Sequence, residues 1–198
     1  MKKFERLPVE QRKEEIQKAA MLLFLEKGFS NTTMENIIQN VSLSKGGVYR
    51  IYPNTTQILG DLMIAGMHLR NDYYEKCVQQ ASQVDLKFLV HMLVKSLILY
   101  PEYSKIYVEF LWEKQRNPIL KKLYEEVCMK STEDTIGLIQ KYHMDSFFSE
   151  DFHLLKEISE WMNAAVLSLH VLDLKEYFLQ HENEICDVIC QMFIKKGE

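Results

Sequence analysis

The 198-residue chain is poor in turn formers, with seven glycines and four prolines. A β-sandwich or barrel needs a turn about every 8–12 residues, so this poverty argues against both and favours long helices. Cysteine is scarce too. Cys77, Cys128, Cys186 and Cys190 form no Cys-x-x-Cys pair. They read as reduced, buried thiols of a cytoplasmic protein, with a redox or metal switch as the alternative. No uncharged apolar stretch reaches the roughly 18 residues of a membrane span. The best run, Phe88–Tyr100, is short and contains His91 and Lys95. No apolar segment follows Met1-Lys2-Lys3-Phe4-Glu5-Arg6, so no signal peptide is expected. An excess of positive charge is also missing. The net charge is −4 and the pI about 5.9, which speaks mildly against nucleic acid or an anionic membrane as partner.

The average hides a split. Residues 1–59 carry nine Lys/Arg and six acids, a net +3, and the other 139 residues carry −7. A small basic head on a larger acidic body suggests that only the head meets a polyanion. Apolar residues make up 47% and charged residues 26%, the balance of a globular chain.

Hydrophobic periodicity is helical throughout, and about nine helices are expected in an all-α fold, with no strand. Ile16, Ala19, Ala20, Leu23 and Phe24 share one face of a first helix, Val9–Lys27, with Gly28 as its cap. Thr32 with Glu35 fits a capping box for a short second helix, Met34–Asn40, and Thr33 could cap it alone. After a tight turn at Val41-Ser42-Leu43, Ser44 caps a third helix that stops at Tyr52, before Pro53. A fourth, capped by Asn54 with Gln57, runs to about Gln80. Further stripes lie within Phe88–Leu97, Tyr103–Leu111, Ile119–Tyr142, Phe152–Leu172 and Glu182–Lys195.

Three short helices in a basic region, the last two joined by a tight turn, read as a helix-turn-helix. The second helix of such a pair enters the major groove with its N-terminal residues at base edges. Here that end is Ser44-Lys45-Gly46-Gly47-Val48-Tyr49-Arg50. Each glycine there costs on the order of 1 kcal/mol against Ala, a cost that makes sense where a backbone must approach DNA closely. Arg50 suits the O6 and N7 of guanine, and Lys45 a base or a phosphate. Tyr49 and Tyr52 offer phenols to phosphates, and Thr32 and Thr33 offer hydroxyls and backbone N–H groups at the second helix.

Ile16…Ala19-Ala20…Leu23-Phe24…Gly28-Phe29…Thr32-Thr33-Met34…Ile37…Val41-Ser42-Leu43-Ser44-Lys45-Gly46-Gly47-Val48-Tyr49…Tyr52…Leu59 resembles the DNA-binding head of the tetracycline-repressor (TetR) family over about Glu10–Arg70. The resemblance implies a DNA-binding head at 10–70, with its helix-turn-helix at 33–52, and an effector-binding and dimerisation body at 71–198. It implies a homodimeric regulator, most plainly a repressor, that grips a palindromic double-stranded operator and leaves it when a small ligand enters the body. Three positions depart from the family pattern. Ser42 replaces a usual turn glycine, so a strained positive φ is expected there. Ile51 replaces a frequent aromatic or His. Thr55 stands where a phosphate-binding Lys is common.

By the same resemblance the last two helices pair with their twins in a four-helix bundle. Ile158, Trp161, Met162, Ala165, Leu169, Ile185, Ile189 and Met192 are the expected interface, the alternative being packing within one chain. Met92, Ser96, Tyr103, Tyr107, Phe110, Trp112, Tyr124 and Cys128 have the apolar and polar mix of an effector pocket, although residue by residue an ordinary core is the favoured reading. The acidic body leans toward a neutral or cationic hydrophobic effector. His91, His143 and His153 lack metal-ligand spacing, so no metal or other cofactor is expected. The chain holds no Glu-x-x-His pair, no Gly-x-Ser-x-Gly elbow and no phosphate-binding glycine loop, so an enzyme is not expected. The competing function is a helical module whose head grips protein partners or non-specific DNA without any effector.

Overall fold

The computed structural model describes residues 8–144 and 153–194, with side chains for 8–144 and 160–191. Among them it has ten helices and no strand. These are α1 (Val9–Lys27), α2 (Met34–Ile38), α3 (Lys45–Ile51), α4 (Thr55–Gln80), α5 (Leu86–Ser96), α6 (Pro101–Glu113), α7 (Pro118–Lys141), α8 (His153–Val171), α9 (Lys175–Gln180) and α10 (Glu182–Ile194). The all-α expectation holds. The tenth helix is α9, six residues that the apolar pattern alone does not reveal.

The chain divides into two compact units. The first joins the residues up to Ala65 with Lys105–Tyr124. Its core holds Ile16, Ala20, Phe24, Ile37, Val48, Ile58, Leu59 and Leu62 from the head and Ile106, Phe110 and Leu120 from α6 and α7. Gly28 ends α1 at φ +83°, a backbone conformation that side-chain-bearing residues avoid, and its N–H returns to the Phe24 carbonyl. The corner after it is held by carboxylates of α6. The Phe29 N–H donates to Glu109 at 3.4 Å and the Ser30 hydroxyl to Glu113 at 2.7 Å. Gly60 lets α4 and α7 approach, since a Cβ there would lie 2.9 Å from Leu123 Cδ2. Residues 105–124 therefore pack as part of the unit that holds the head, although the sequence reading puts them in the body.

The second unit takes Gly66–Ser104 and the chain from Glu125 onward. One of its cores gathers Tyr74 and Val78 of α4, Leu89 and Met92 of α5, Ile139 of α7, and Met144. The other gathers Val90, Val94, Leu97, Met162, Leu169, Phe178 and Cys186, with Trp161, Ala165, Ile185 and Ile189 packed against it. α5 and α10 are further tied by Lys87–Asp187 at 3.2 Å and by His91 against Asn183 at 3.3 Å. Cys186 is fully buried, and burial pushes its thiol up to about 11, so it stays protonated and unreactive at neutral pH. The other three cysteines are half-buried, and none of the four forms a disulfide. No helix among the described residues is long and apolar enough to cross a membrane.

Candidate nucleic-acid interface

α2 and α3 are only five and seven residues long, and both start on side-chain caps. Thr33, not Thr32, caps α2. Its hydroxyl accepts from the Asn36 N–H, and the Asn36 side chain accepts from the Thr33 N–H in return. Asn36 thus fills the place expected of Glu35, and Lys27 donates to the same oxygen at 2.7 Å. Thr32 is 5% exposed and donates inward to the Gly28 carbonyl at 2.9 Å. Both threonines are therefore structural in this state, and the Thr33 N–H is already engaged. Ser44 caps α3 by accepting from the Gly47 N–H at 3.3 Å.

The turn between the two helices needs no positive φ. Among the described non-glycine residues positive φ occurs at Tyr100, His143 and Asp173, so the strain expected at Ser42 is absent. Ser42 is instead held by α1: its N–H and its hydroxyl donate to the two carboxylate oxygens of Glu15, the hydroxyl at 3.0 Å. The fork that clamps the turn is a feature that periodicity gives no hint of.

α3 buries Val48 at its back and leaves Lys45, Gly46, Tyr49 and Arg50 exposed. The two glycines differ. A Cβ on Gly47 would meet Ser44 Oγ at 3.3 Å and Leu43 Cδ2 at 3.4 Å, so an added methyl there would crowd the capping hydroxyl. A Cβ on Gly46 would meet nothing within 4 Å, so no contact inside the head explains it. Lys45 pairs with Glu35 of α2 at 3.0 Å, and Tyr49 donates to the same carboxylate at 3.5 Å. The hydrogen bond from Lys45 holds the Glu35 carboxyl below its usual range, and the bond to Glu35 raises the Lys45 ammonium. The pair therefore persists at neutral pH and is lost as pH falls through the depressed carboxyl range or rises through the raised ammonium range. Arg50 has no ion pair among the described residues.

Tyr52 lies on the other side of the head. It is 2% exposed, accepts from Gln17 of α1 at 2.7 Å and donates to Asp61 of α4 at 2.6 Å. Asp61 also pairs with Lys13 at 2.9 Å. A buried phenol with both partners satisfied cannot reach a phosphate, so the expected DNA contact at Tyr52 is replaced by a role in positioning α3. Ile51 is half-buried at the end of α3, and Thr55 is half-buried as the first residue of α4, just after the Asn54 side chain that accepts from Gln57.

Residues 16–62, which hold α1 to the start of α4, match the family model described as bacterial regulatory proteins, tetR family. The head belongs to the tetR family. The chain is accordingly a DNA-binding transcriptional regulator with a helix-turn-helix. Its fold is shared along nearly the whole chain with tetR-like structures. GusR of Salmonella enterica aligns at a TM-score of 0.75, with 13% identity and 96% of each chain covered. The fatty acid degradation regulator FadR of Bacillus halodurans aligns at 0.69, with 19% identity, 90% of this chain and 94% of that one. A proposed transcriptional regulator of Saccharomonospora viridis, in complex with choline, aligns at 0.59, with 14% identity, 94% of this chain and 95% of that one. These identities support the fold alone. No curated protein sequence is significantly similar to the chain.

In this tetR-type chain the residues expected in the body scatter. Met92 and Ser96 are buried and Tyr103 and Cys128 half-buried in the second unit, whereas Tyr107, Phe110, Trp112 and Tyr124 fall in the first. Phe110 is fully buried against Tyr107 and Tyr124, and Trp112 is 60% exposed, so neither has the setting of a pocket wall. Of the expected dimer stripe, Met162 and Leu169 are buried in their own chain's core, and Trp161, Ala165, Ile185 and Ile189 are half-buried against it. Ile158 and Met192 lie outside the side chains described. The exposed apolar residues nearby are Val171, Leu172, Tyr177, Leu179 and Val188.

Two outcomes follow for the head. Gly46→Ala should raise the free protein's unfolding free energy by up to about 1 kcal/mol and still weaken operator binding, as measured by urea unfolding beside fluorescence anisotropy. A variant that gains stability and binds as well as the parent shows that DNA does not need the bare backbone. Glu35→Gln should leave the melting temperature unchanged, tighten duplex binding several-fold and steepen the log–log salt slope by about one, because Lys45 becomes free to meet a phosphate. An unaltered slope would mean that Lys45 makes no phosphate contact.

Proposed function

We propose that the chain is a homodimeric, ligand-responsive transcriptional repressor. The α3 helices of two protomers read the half-sites of a palindromic operator, and a small hydrophobic effector bound in the body releases it. The observation that carries this reading is the exposed row Lys45, Gly46, Tyr49 and Arg50 on a capped helix whose back is buried, within a tetR-type head. A division into a DNA-binding head at 10–70, with the motif at 33–52, and an effector and dimer body at 71–198 accompanies it. Ser44, Lys45, Gly46, Gly47, Tyr49 and Arg50 are the proposed contacts, with Thr33 and Thr55 at the flanking backbone. A cytoplasmic, non-enzymatic protein is the natural setting for such a regulator.

Effector control draws support from the neighbouring fold that was solved in complex with choline, a small organic molecule. A twofold dimer would set the recognition helices about 34–36 Å apart, one turn of DNA. The apolar side chains that α8 and α10 leave exposed, Val171 and Val188, suit the partner face better than the buried stripe does.

On duplexes from the gene's own upstream region, Arg50→Ala should cost about 1–3 kcal/mol at the preferred operator and relax its specificity. Tyr49→Phe should weaken all sequences evenly. If neither change alters binding to any duplex, α3 is not the reading helix. For the dimer, Val188→Glu should move sedimentation toward monomer with helicity retained, and should abolish operator binding with it. An intact dimer would place the interface elsewhere.

A further inference from the structure

α4 buries one face in the second unit. Met67, Tyr74 and Val78 lie on it, and Arg70 and Asn71 share it at helical spacing. Tyr74 is placed by ordinary pairing. Ser96 gives its only hydroxyl proton to the Leu93 carbonyl at 2.6 Å, so the Tyr74 hydroxyl, 2.8 Å away, donates to Ser96 and keeps its own lone pairs open. Arg70 is different. Its Nη2 donates to the Ser131 hydroxyl at 2.8 Å, but its Nε, shielded from solvent, has no hydrogen-bond partner among the described residues. Beside it in the chain, the Asn71 Oδ1 is equally buried and equally without a partner. Arg70 meets no carboxylate among the described residues. A buried guanidinium N–H and a buried amide oxygen left open at successive positions of one helix are costly in a folded chain and call for a reason.

We infer that this face of α4 is the effector subsite and that it takes a small apolar carboxylic acid, an inference that rests on the effector reading above. Nε and the second hydrogen of Nη2 form the edge of the guanidinium that matches the two oxygens of a carboxylate. Asn71 Oδ1 then accepts from a hydroxyl on the same ligand. The Tyr103 ring, seated against Gly66 where a Cβ would stand 3.0 Å away, and the side chains of Met67 and Met92 supply apolar surface for the ligand's body. The net acidity of the body, which leaned toward a neutral or cationic effector, is an average over 139 residues. The group that meets the ligand here is a cation with no counter-ion among the described residues.

The test uses the full-length protein. Decanoate, 3-hydroxydecanoate and benzoate, each against decanol and decylamine, are compared by thermal shift and isothermal titration. At least one acid should bind and raise the melting temperature, and the alcohol and amine should bind more than tenfold more weakly. The hydroxy acid should bind more tightly than decanoate. Arg70→Met should lose acid binding at least tenfold while the apo protein melts no lower than the parent. Arg70→Lys, which keeps the charge without the planar edge, should bind acids with intermediate affinity. No stabilisation by any of the three acids, equal binding of alcohol and acid, or full acid affinity in Arg70→Met overturns the inference. Operator release separates it from the effector reading. Acid binding that leaves the operator complex intact keeps the subsite and removes the effector role. Release by decylamine that survives in Arg70→Met keeps the effector role and removes the subsite.

Discussion

The recognition helix is seven residues long and cannot stand alone, since isolated helices below about 12–15 residues are marginal in water. What holds it is the Tyr52 phenol. Its ring is sealed in the head, and its hydroxyl joins α1 and α4 by accepting from Gln17 and donating to Asp61. Burial raises the phenol's pKa, with Asp61 adding to the effect, so the proton stays where the bond to Asp61 needs it. Lys13 neutralises Asp61 from the other side. The Glu15 clamp on Ser42 fixes the start of α3 as the phenol fixes its end. Everything presented to DNA is therefore imposed by tertiary contacts at two points, and the intrinsic propensity of a Gly-Gly helix contributes little.

This dependence explains what was legible in the sequence. Long amphipathic helices announce themselves, and α1, α4 and α7 fall within a residue or so of their expected bounds. The helix-turn-helix is legible because its caps, glycines and Pro53 lie close together in the chain. Tyr49 and Tyr52 are three residues apart and chemically identical, yet one is exposed and the other sealed. Only the position of Gln17 and Asp61, brought in from distant helices, separates them. The same holds for Thr32 and Thr33, and for Glu35 and Asn36 as rival partners in the capping box.

In the body the apolar stripes were real but their destinations were not readable. A stripe on α8 or α10 says that a face is buried and not by what. Here Val90 and Val94 of α5, with Leu97 just after it, bury Met162 and Leu169 and cover the rest of the stripe only in part. α9 leaves no signal in the sequence, because six residues after a left-handed Asp173 show less than two turns of pattern. Residues 105–124 were assigned away from the unit that holds the head because Glu109, Glu113 and Leu123 reach it from 60 or more residues along the chain.

The head's net +3 overstates what is free to meet DNA. Lys13 is spent on Asp61, Lys27 on Asn36 and Lys45 on Glu35. An exposed ion pair of this kind has little intrinsic strength, so a well-placed phosphate can take Lys45 from Glu35, but a poorly placed one cannot both displace the carboxylate and tolerate its charge. Glu35 thus weakens binding of every duplex and weighs most against loose electrostatic binding. With Arg50 the cation of α3 that starts without an ion pair, and with Gly46 leaving the backbone bare beside Lys45, affinity has to come from close fit. A body carrying −7 works in the same direction, because its net charge lowers the attraction of any duplex held by charge alone.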